Sequence, residues 1–257
     1  MKSIVYLTLA ILLIASSFAF AAQNRAILLE SDPESYAAAP DNDIYTKDLK
    51  NSCTIEAWAK PAVEGGERMV FNKEDSWESA VRDGLWQSAM AMEGVGWDWH
   101  DSALLVSVDE WHHVAVTWDG ENWRQYVDGV EGVAEGRAGK GFADTDSTMK
   151  IGRRERGGAT HSIFDGLIDE VRISNNIRYD GNYEVPTKGF EPDDNTTALY
   201  HFDELDGKKI ADFSGKAPDL ELQGDAELED VDDNPAAELA VEAGDKLTTI
   251  WGRIKRQ

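Results

Sequence analysis

The chain has 257 residues, room for one large β domain or two small ones, and carries 49 acidic against 25 basic residues for a formal net charge of −24. Such a surface repels polyanions, which argues against nucleic acid and anionic lipid as partners and makes calcium the first metal to consider. A single cysteine excludes an internal disulfide and a cysteine-rich zinc site.

Lys2 is followed by the apolar run IVYLTLAILLIASSFAFAA, with Ala19 and Ala21 at the small-residue positions of a cleavage site. Residues 1–21 read as a secretory signal peptide cut near Ala21 or Ala22. An uncleaved membrane anchor is the other reading, because about 19 apolar residues just span a bilayer. No later apolar run is long enough. The mature chain is expected to be exported (secreted, periplasmic or on the cell surface) and not inserted in the membrane.

Beyond the leader, short alternating runs recur between turn residues, the pattern of an all-β protein. The strands expected first are RAILLE (25–30), CTIEAWAK (53–60) and RMVFNK (68–73). LWQSAMAM (85–92), ALLVS (103–107), HHVAVTW (112–118) and WRQYV (123–127) follow. VEGVA (130–134), TMKIGRR (148–154), GLIDEVRIS (166–174), TALYHF (197–202) and DLELQG (219–224) complete the set. About a dozen strands suffice for two packed sheets of five to seven. Cys53 shares a face with Ile55, Ala57 and Ala59 and reads as a small buried hydrophobe rather than a reactive thiol.

In HHVAVTW, His112, Val114, Val116 and Trp118 share one face, while His113, Ala115 and Thr117 share the other. Asp128-Gly129 supplies the two positive-φ positions of a two-residue hairpin loop. Asp119 and Asp128 are therefore turn residues, and the two histidines point to opposite faces and cannot act together.

After Asp230 the β pattern fades. Residues 231–257 read as a C-terminal tail, in which Asn234-Pro235 is placed to cap a short helix that Gly244 ends. Its last residues, with Trp251, Arg253, Ile254, Lys255 and Arg256, make a basic, apolar tip. A frayed or self-docked tail and a recognition tag both fit it.

No chemistry of catalysis stands out. Retaining glucanases set two glutamates on one strand, about 5 Å apart; the nearest match, Asp169 beside Glu170, puts adjacent residues on opposite faces. No G-x-S-x-G elbow accompanies the five histidines. Nine tryptophans leave sugar stacking as the richer option. Trp58, Trp111 and Trp118 fall in strands; Trp77, Trp97, Trp99 and Trp123 fall in or near loops. The best patch is GVGWDWHD (94–101), where Trp97 and Trp99 share a face with Asp98 and His100 opposite. It is either a ligand-binding loop or an apolar staple fastening that loop to the core.

TIEAWAKP (54–61), EWHHVAVTWDGENWRQYVDGV (110–130), MKIGRR (149–154), FDGLIDEVRIS (164–174) and NTTALYHFDELDGKKIADFSGKAPDLELQG (195–224) together resemble the laminin-G-like, concanavalin A-like domains of bacterial secreted proteins. The resemblance implies one two-sheet antiparallel jelly-roll β-sandwich over residues 22–230, followed by the short tail. It also implies one structural Ca2+, held by Asp169 with Asp32 and the carbonyls of Glu30 and Ser31. Ser31 stands where the family's first turn has glycine, and Asp169 engaged only in hydrogen bonds is the other reading. The family is diverse in function. The expected role is a non-enzymatic binding module, carbohydrate-binding first, protein adhesion second and glycoside hydrolysis last.

Overall fold

The computed structural model describes residues 24–30, 35–157 and 159–236. The expected leader, the first turn with Ser31, Asp32 and Pro33, and the helix and basic tip of the tail lie outside the described residues.

In chain order the strands begin with β1 (Arg25–Leu29), β2 (Tyr36–Ala39), β3 (Cys53–Pro61), β4 (Glu67–Lys73) and β5 (Trp77–Arg82). They continue as β6 (Leu85–Met92), β7 (Gly96–Leu105), β8 (His112–Trp118), β9 (Asn122–Val127) and β10 (Val130–Glu131). Next come β11 (Glu135–Gly136), β12 (Met149–Ile151), β13 (Arg154–Arg156), β14 (Ala159–His161) and β15 (Gly166–Ser174). The last are β16 (Thr196–Tyr200), β17 (Lys209–Ile210), β18 (Leu220–Gln223) and β19 (Glu227–Asp230). Two 3-10 turns, Asp43–Tyr45 and Lys47–Leu49, join β2 to β3.

The first sheet runs β10-β9-β8-β3-β15-β1-β19, with β11 added on β9 and β16 on β15. The second runs β17-β18-β2-β12-β4-β5-β6-β7, and β13 and β14 form a separate two-stranded hairpin. The two large sheets pack face to face as an antiparallel jelly-roll sandwich, the fold class expected. Their inner faces meet in one core that includes Ile55, Phe71, Trp86, Val116, Trp118 and Ile168. Burial on this scale supplies the main favourable term in folding. Cys53 lies inside it, fully buried, and burial pushes its thiol well above the usual range.

The sandwich has more strands than the sequence pattern suggests. WESAVR and GWDWHDS are strand, not loop, although both are rich in polar residues. The cause lies in the turns before them. Asp75 adopts φ +61, so β4 doubles back at once into β5, while Gly94 and Gly96 turn β6 into β7. Trp77 and Trp123 are thereby core residues, each 1% exposed, and not loop residues. Their indole N–H groups donate to Tyr45 O at 2.8 Å and to Ser88 Oγ at 2.6 Å. Residues 231–236 also pack on the sandwich, with Val231 buried beside Ala26 and Leu167.

The β8–β9 hairpin returns through β10 as its sequence requires, with Val127 paired to Val130. Asp128 and Gly129 take φ +50 and +76. A Cβ on Gly129 collides with the Tyr183 carbonyl. Gly129→Val is expected to cost more than the roughly 1–3 kcal/mol of positive-φ strain alone. Chemical denaturation checks this, and an unchanged midpoint removes the turn from the account.

Candidate functional site

The second sheet ends at β7, which among the described residues pairs as a strand with β6. Register sets Trp97 opposite Ala91 and Trp99 opposite Ala89, so both indoles lie on the outer face, away from the core. Trp97 is 36% exposed, and Trp99 is half-buried. Their rings meet edge to face at 6.2 Å. The Arg82 guanidinium covers one face of Trp99 at 4.4 Å, and Arg154 stands 5.7 Å from Trp97. Beside them runs a polar line. Arg82 pairs with Glu67 at 2.8 Å and donates to Gln87 at 3.0 Å, and Gln87 donates to Asp101 at 3.2 Å. Trp97 is thus a braced, partly exposed aromatic ring, with Arg154 over it and hydrogen-bonding groups beside it.

Asp98 and His100 lie on the other face of β7, as strand alternation dictates. Asp98 pairs with Arg137 at 3.3 Å, and Arg137 also donates to Gly96 O at 2.7 Å, closing the β6–β7 turn against β11. His100 is 6% exposed, and burial lowers its pKa against the pull of Asp98 and Glu135. The four residues come together along one strand. Only the indoles face the open side, and their companions there are Arg82, Gln87 and Asp101, drawn from other positions.

Further across the same face lies a carboxylate cluster that reading along single strands does not reveal. Glu67 on β4, Glu74 in the β4–β5 turn and Glu78 on β5 gather around Arg154 of β13. Arg154 donates to both Glu74 oxygens, at 3.1 and 3.2 Å, and its Nε lies 3.0 Å from Glu78 Oε1. Glu78 is fully buried, and burial, with Glu74 and Glu67 adding to it, outweighs Arg154 and pushes its pKa up to about 8.

On the first sheet, His112 and His113 diverge as expected. His113 is wholly buried on the outer face, with Nε2 3.2 Å from Glu56 and Nδ1 2.8 Å from the Tyr183 hydroxyl. Burial favours the neutral form of Glu56, but Arg172 and His113 outweigh it and hold the carboxyl down to about 2. His112 does more than the sequence suggests. Its Nδ1 lies 2.7 Å from Asp128 and its Nε2 2.8 Å from the Ser107 hydroxyl, the connectivity of a serine hydrolase triad. Two contacts argue against that chemistry. The Ser107 backbone N–H donates to the same Nε2 at 3.1 Å, and the hydroxyl donates to Glu110 at 2.6 Å. The imidazole lone pair is occupied, and the serine proton points away from it. The arrangement locks the turn before β8.

Asp169 is engaged in hydrogen bonds, the alternative to the calcium site that the resemblance implies. It is fully buried, accepting from the Glu170 N–H at 2.8 Å and from the Asn234 amide at 2.5 Å. Its pKa is raised by burial, with Glu170 and Asp203 adding to the effect. Register pairs Leu29 with Gly166, which sets Glu30 level with Asp165, four residues' rise or about 13 Å along the strand from Asp169. Asp32 itself lies outside the described residues. Among the described residues no group of three or more His, Cys, Asp or Glu side chains could hold a metal ion. Near Asp169 β15 also carries a bulge, with Glu170 at φ +51, so strict alternation of Asp169 and Glu170 does not hold there. Both acids are buried, and Glu170 is bound to His201 at 2.6 Å and to the Phe190 N–H at 2.7 Å.

Two antiparallel sheets packed face to face, in this strand order, define a jelly-roll sandwich. The profile of the laminin G family, described as the concanavalin A-like lectin/glucanases superfamily, matches residues 31–180, more than half of the chain. The chain belongs to this family. Among solved structures it is similar to a candidate carbohydrate-binding protein of Bacteroides ovatus, with a TM-score of 0.68 and 17% identity. That match covers 82% of this chain and 60% of the other. The sialidase CBM40 module of Ruminococcus gnavus bound to α2,3-sialyllactose gives 0.48 at 13% identity, covering 60% of this chain and 93% of that one. Domains LG4-5 of the mouse laminin α1 chain give 0.48 at 16%, covering 59% and 42%. At these identities the likeness is one of fold. No curated protein matches the chain.

Two outcomes test the geometry of this face and of the Ser107 turn. The folded protein keeps the Glu78 proton to about pH 8, whereas an unperturbed glutamate releases it near 4.5, so stability falls as pH rises through that window. Glu56, held near 2, acts in the opposite sense, and its contribution is lost only as pH falls from 4.5 towards 2. Melting temperatures between pH 5 and 8 should therefore decline less steeply in Glu78→Gln than in wild type; equal slopes would mean that Glu78 titrates normally. A fluorophosphonate probe should leave Ser107 unlabelled in peptide mass spectra, and a His112-dependent adduct there would restore the triad.

Proposed function

We propose that the chain is an exported, non-catalytic glycan-binding module whose contact surface is the outer face of the second sheet at β7. The observation that carries this is Trp97, an exposed indole held edge to face by Trp99, beside Arg82, Gln87 and Asp101. A pyranose offers a C–H face to such a plane and hydroxyls to the groups beside it. Arg82 occupies the face of Trp99, which makes Trp97 the platform and Trp99 its brace. The carboxylates of the neighbouring cluster bind Arg154, and Glu78 is shut off from solvent, so they are not poised to flank a glycosidic bond. Export is supported by the apolar leader with its small-residue exit. Among the described residues no helix is long and apolar enough to cross a membrane.

Affinity electrophoresis through gels containing laminarin, xylan or mannan tests the assignment. Trp97→Ala should weaken retention at least about tenfold, or 1.4 kcal/mol, and leave the melting temperature within a few degrees. A folded variant retained like wild type would remove β7 from the account. The leading alternative would then be protein adhesion through the groove of about 690 Å³ where Leu105 is 74% exposed beside Val63 and Val108, with Glu64, Arg68, Asp83 and Glu110 also in its lining.

A further inference from the structure

The groove of about 690 Å³ lies between the β3–β4, β5–β6 and β7–β8 connections. Val63, Leu105 and Val108 give it an apolar floor, and Leu105 is 74% exposed and Val63 42%. A bulge turns Leu105 outward. Ala103 takes φ +59, its N–H donates to Asp101 Oδ1 at 2.8 Å, and the ladder to β6 slips between Leu85 and Gln87. Bulges of this kind re-aim the side chains that follow them. Apolar side chains left uncovered together in one concavity mark a contact surface.

The rim of the groove is acidic. Glu64, Asp83 and Glu110 line it and are exposed. Asp83 accepts from the Gly66 N–H at 2.9 Å and Glu110 from the Ser107 hydroxyl at 2.6 Å, but among the described residues none of the three pairs with a cation. Arg68, the cation in the lining, pairs instead with Asp165 at 3.2 Å. The groove therefore fits a segment that carries apolar side chains and cations together. The chain holds such a segment. Residues 251–256 bring Trp251 and Ile254 with Arg253, Lys255 and Arg256, and no acid, in a chain of net charge −24.

We propose that residues 251–256 of the same chain bind this groove, Trp251 and Ile254 against its floor and the cations along its rim. Residues 251–256 lie outside the described ones, but the stretch that leads to them is fastened beside the groove. Asp233 accepts from the Trp111 indole N–H at 3.0 Å and pairs with Lys60 at 2.6 Å. Lys60 and Trp111 adjoin Pro61 and Glu110 in sequence, and both of these are in the lining. The Ala236 carbonyl accepts from the Gly189 N–H at 3.1 Å. From there about fifteen residues lead to Trp251, enough chain to span up to roughly 50 Å. A tether on this scale holds a segment at an effective concentration of order millimolar, well above that of a second copy in dilute solution. The chain's own tip is therefore the favoured occupant. A protein docking at this groove has to displace it, and its apparent affinity is reduced by the fraction of molecules in which the groove is open.

The test uses the full chain with the photo-reactive residue p-benzoylphenylalanine in place of Trp251, irradiated in dilute solution and digested for peptide mass spectrometry. Cross-links should form within the monomer and concentrate on residues 61–68, 81–84 and 105–110. Glu64→Lys with Glu110→Lys should cut their yield at least about fivefold, and so should Arg253→Glu with Lys255→Glu. Combining the two pairs should restore at least about half of the yield, a rescue that only opposed charges in contact give. Cross-links centred elsewhere on the monomer, or a yield indifferent to both pairs, overturn the proposal. Cross-linked dimers assign the groove to a second copy and overturn it equally. If the rim variants do not fold, the map of cross-links in the chain with native rim residues, and its response to Arg253→Glu with Lys255→Glu, decide the matter.

Discussion

The Asp128-Gly129 turn is the constraint on which the first sheet depends. Only a backbone at positive φ reverses β9 within two residues and keeps the strand twist. The turn then acts on both sides of the sheet. Asp128 accepts from the His113 N–H at 2.9 Å and holds His112 at 2.7 Å. The Gly129 carbonyl accepts from the Tyr183 N–H at 2.9 Å, which pins the segment after β15 across the outer face. Under that segment Tyr179 and Tyr183 stack at 3.6 Å, and their hydroxyls reach Glu56 at 2.6 Å and His113 at 2.8 Å. A glycine with no side chain to clear is what allows the cover to close.

The two outer faces consequently differ in kind. On the first sheet the buried charge is matched. Glu56 receives Arg172 at 2.8 Å and the Tyr179 hydroxyl, so a carboxylate taken out of water is compensated by hydrogen bonds and cations. On the second sheet Glu78 is held instead in the neutral form, its pKa pushed up to about 8 because burial, with Glu74 and Glu67, outweighs Arg154. Buried polar atoms without a hydrogen bond occur on both faces, Trp58 Nε1 and His113 Nε2 on the first and Asn72 Oδ1 on the second. The exposed Trp97 indole, rather than any unmet bond, directs attention to the second sheet.

The strands legible in the sequence are those with one apolar and one polar face and a turn residue at each end, such as HHVAVTW and GLIDEVRIS. The strands missed are of another type. WESAVR and GWDWHDS carry polar residues on a face that is itself covered or lies at a sheet edge, so their alternation does not stand out against the surrounding turns. Trp97 and Trp99 were legible as a pair, because a spacing of two fixes their common face in any extended segment. Their companions were not, because Arg82, Gln87 and Arg154 arrive from separate strands through register alone. The same holds for Glu67, Glu74 and Glu78, which no single segment displays together. Ser107 and His112 are close in sequence, yet a short loop rather than a motif aligns them.

Charge sets a final condition on the ligand. The chain is strongly acidic at −24, yet Arg82, Arg153, Arg154 and Arg156 all belong to this one face or its hairpin. None is left over for an anion. Arg82 pairs with Glu67 at 2.8 Å, Arg153 with Glu155 at 2.9 Å, and Arg154 and Arg156 with Glu74 at 3.1 and 3.9 Å. The face is therefore close to neutral within an acidic surround, where an incoming polyanion gains no unpaired guanidinium and meets long-range repulsion. A neutral, hydroxyl-rich ligand escapes both penalties, because it can stack on Trp97 and hydrogen-bond to Gln87 and Asp101 without having to displace an ion pair. On the glycan reading, the arginines work as scaffolding that holds Trp97, Trp99 and the carboxylates in place, and selectivity falls to the hydrogen-bonding groups between them.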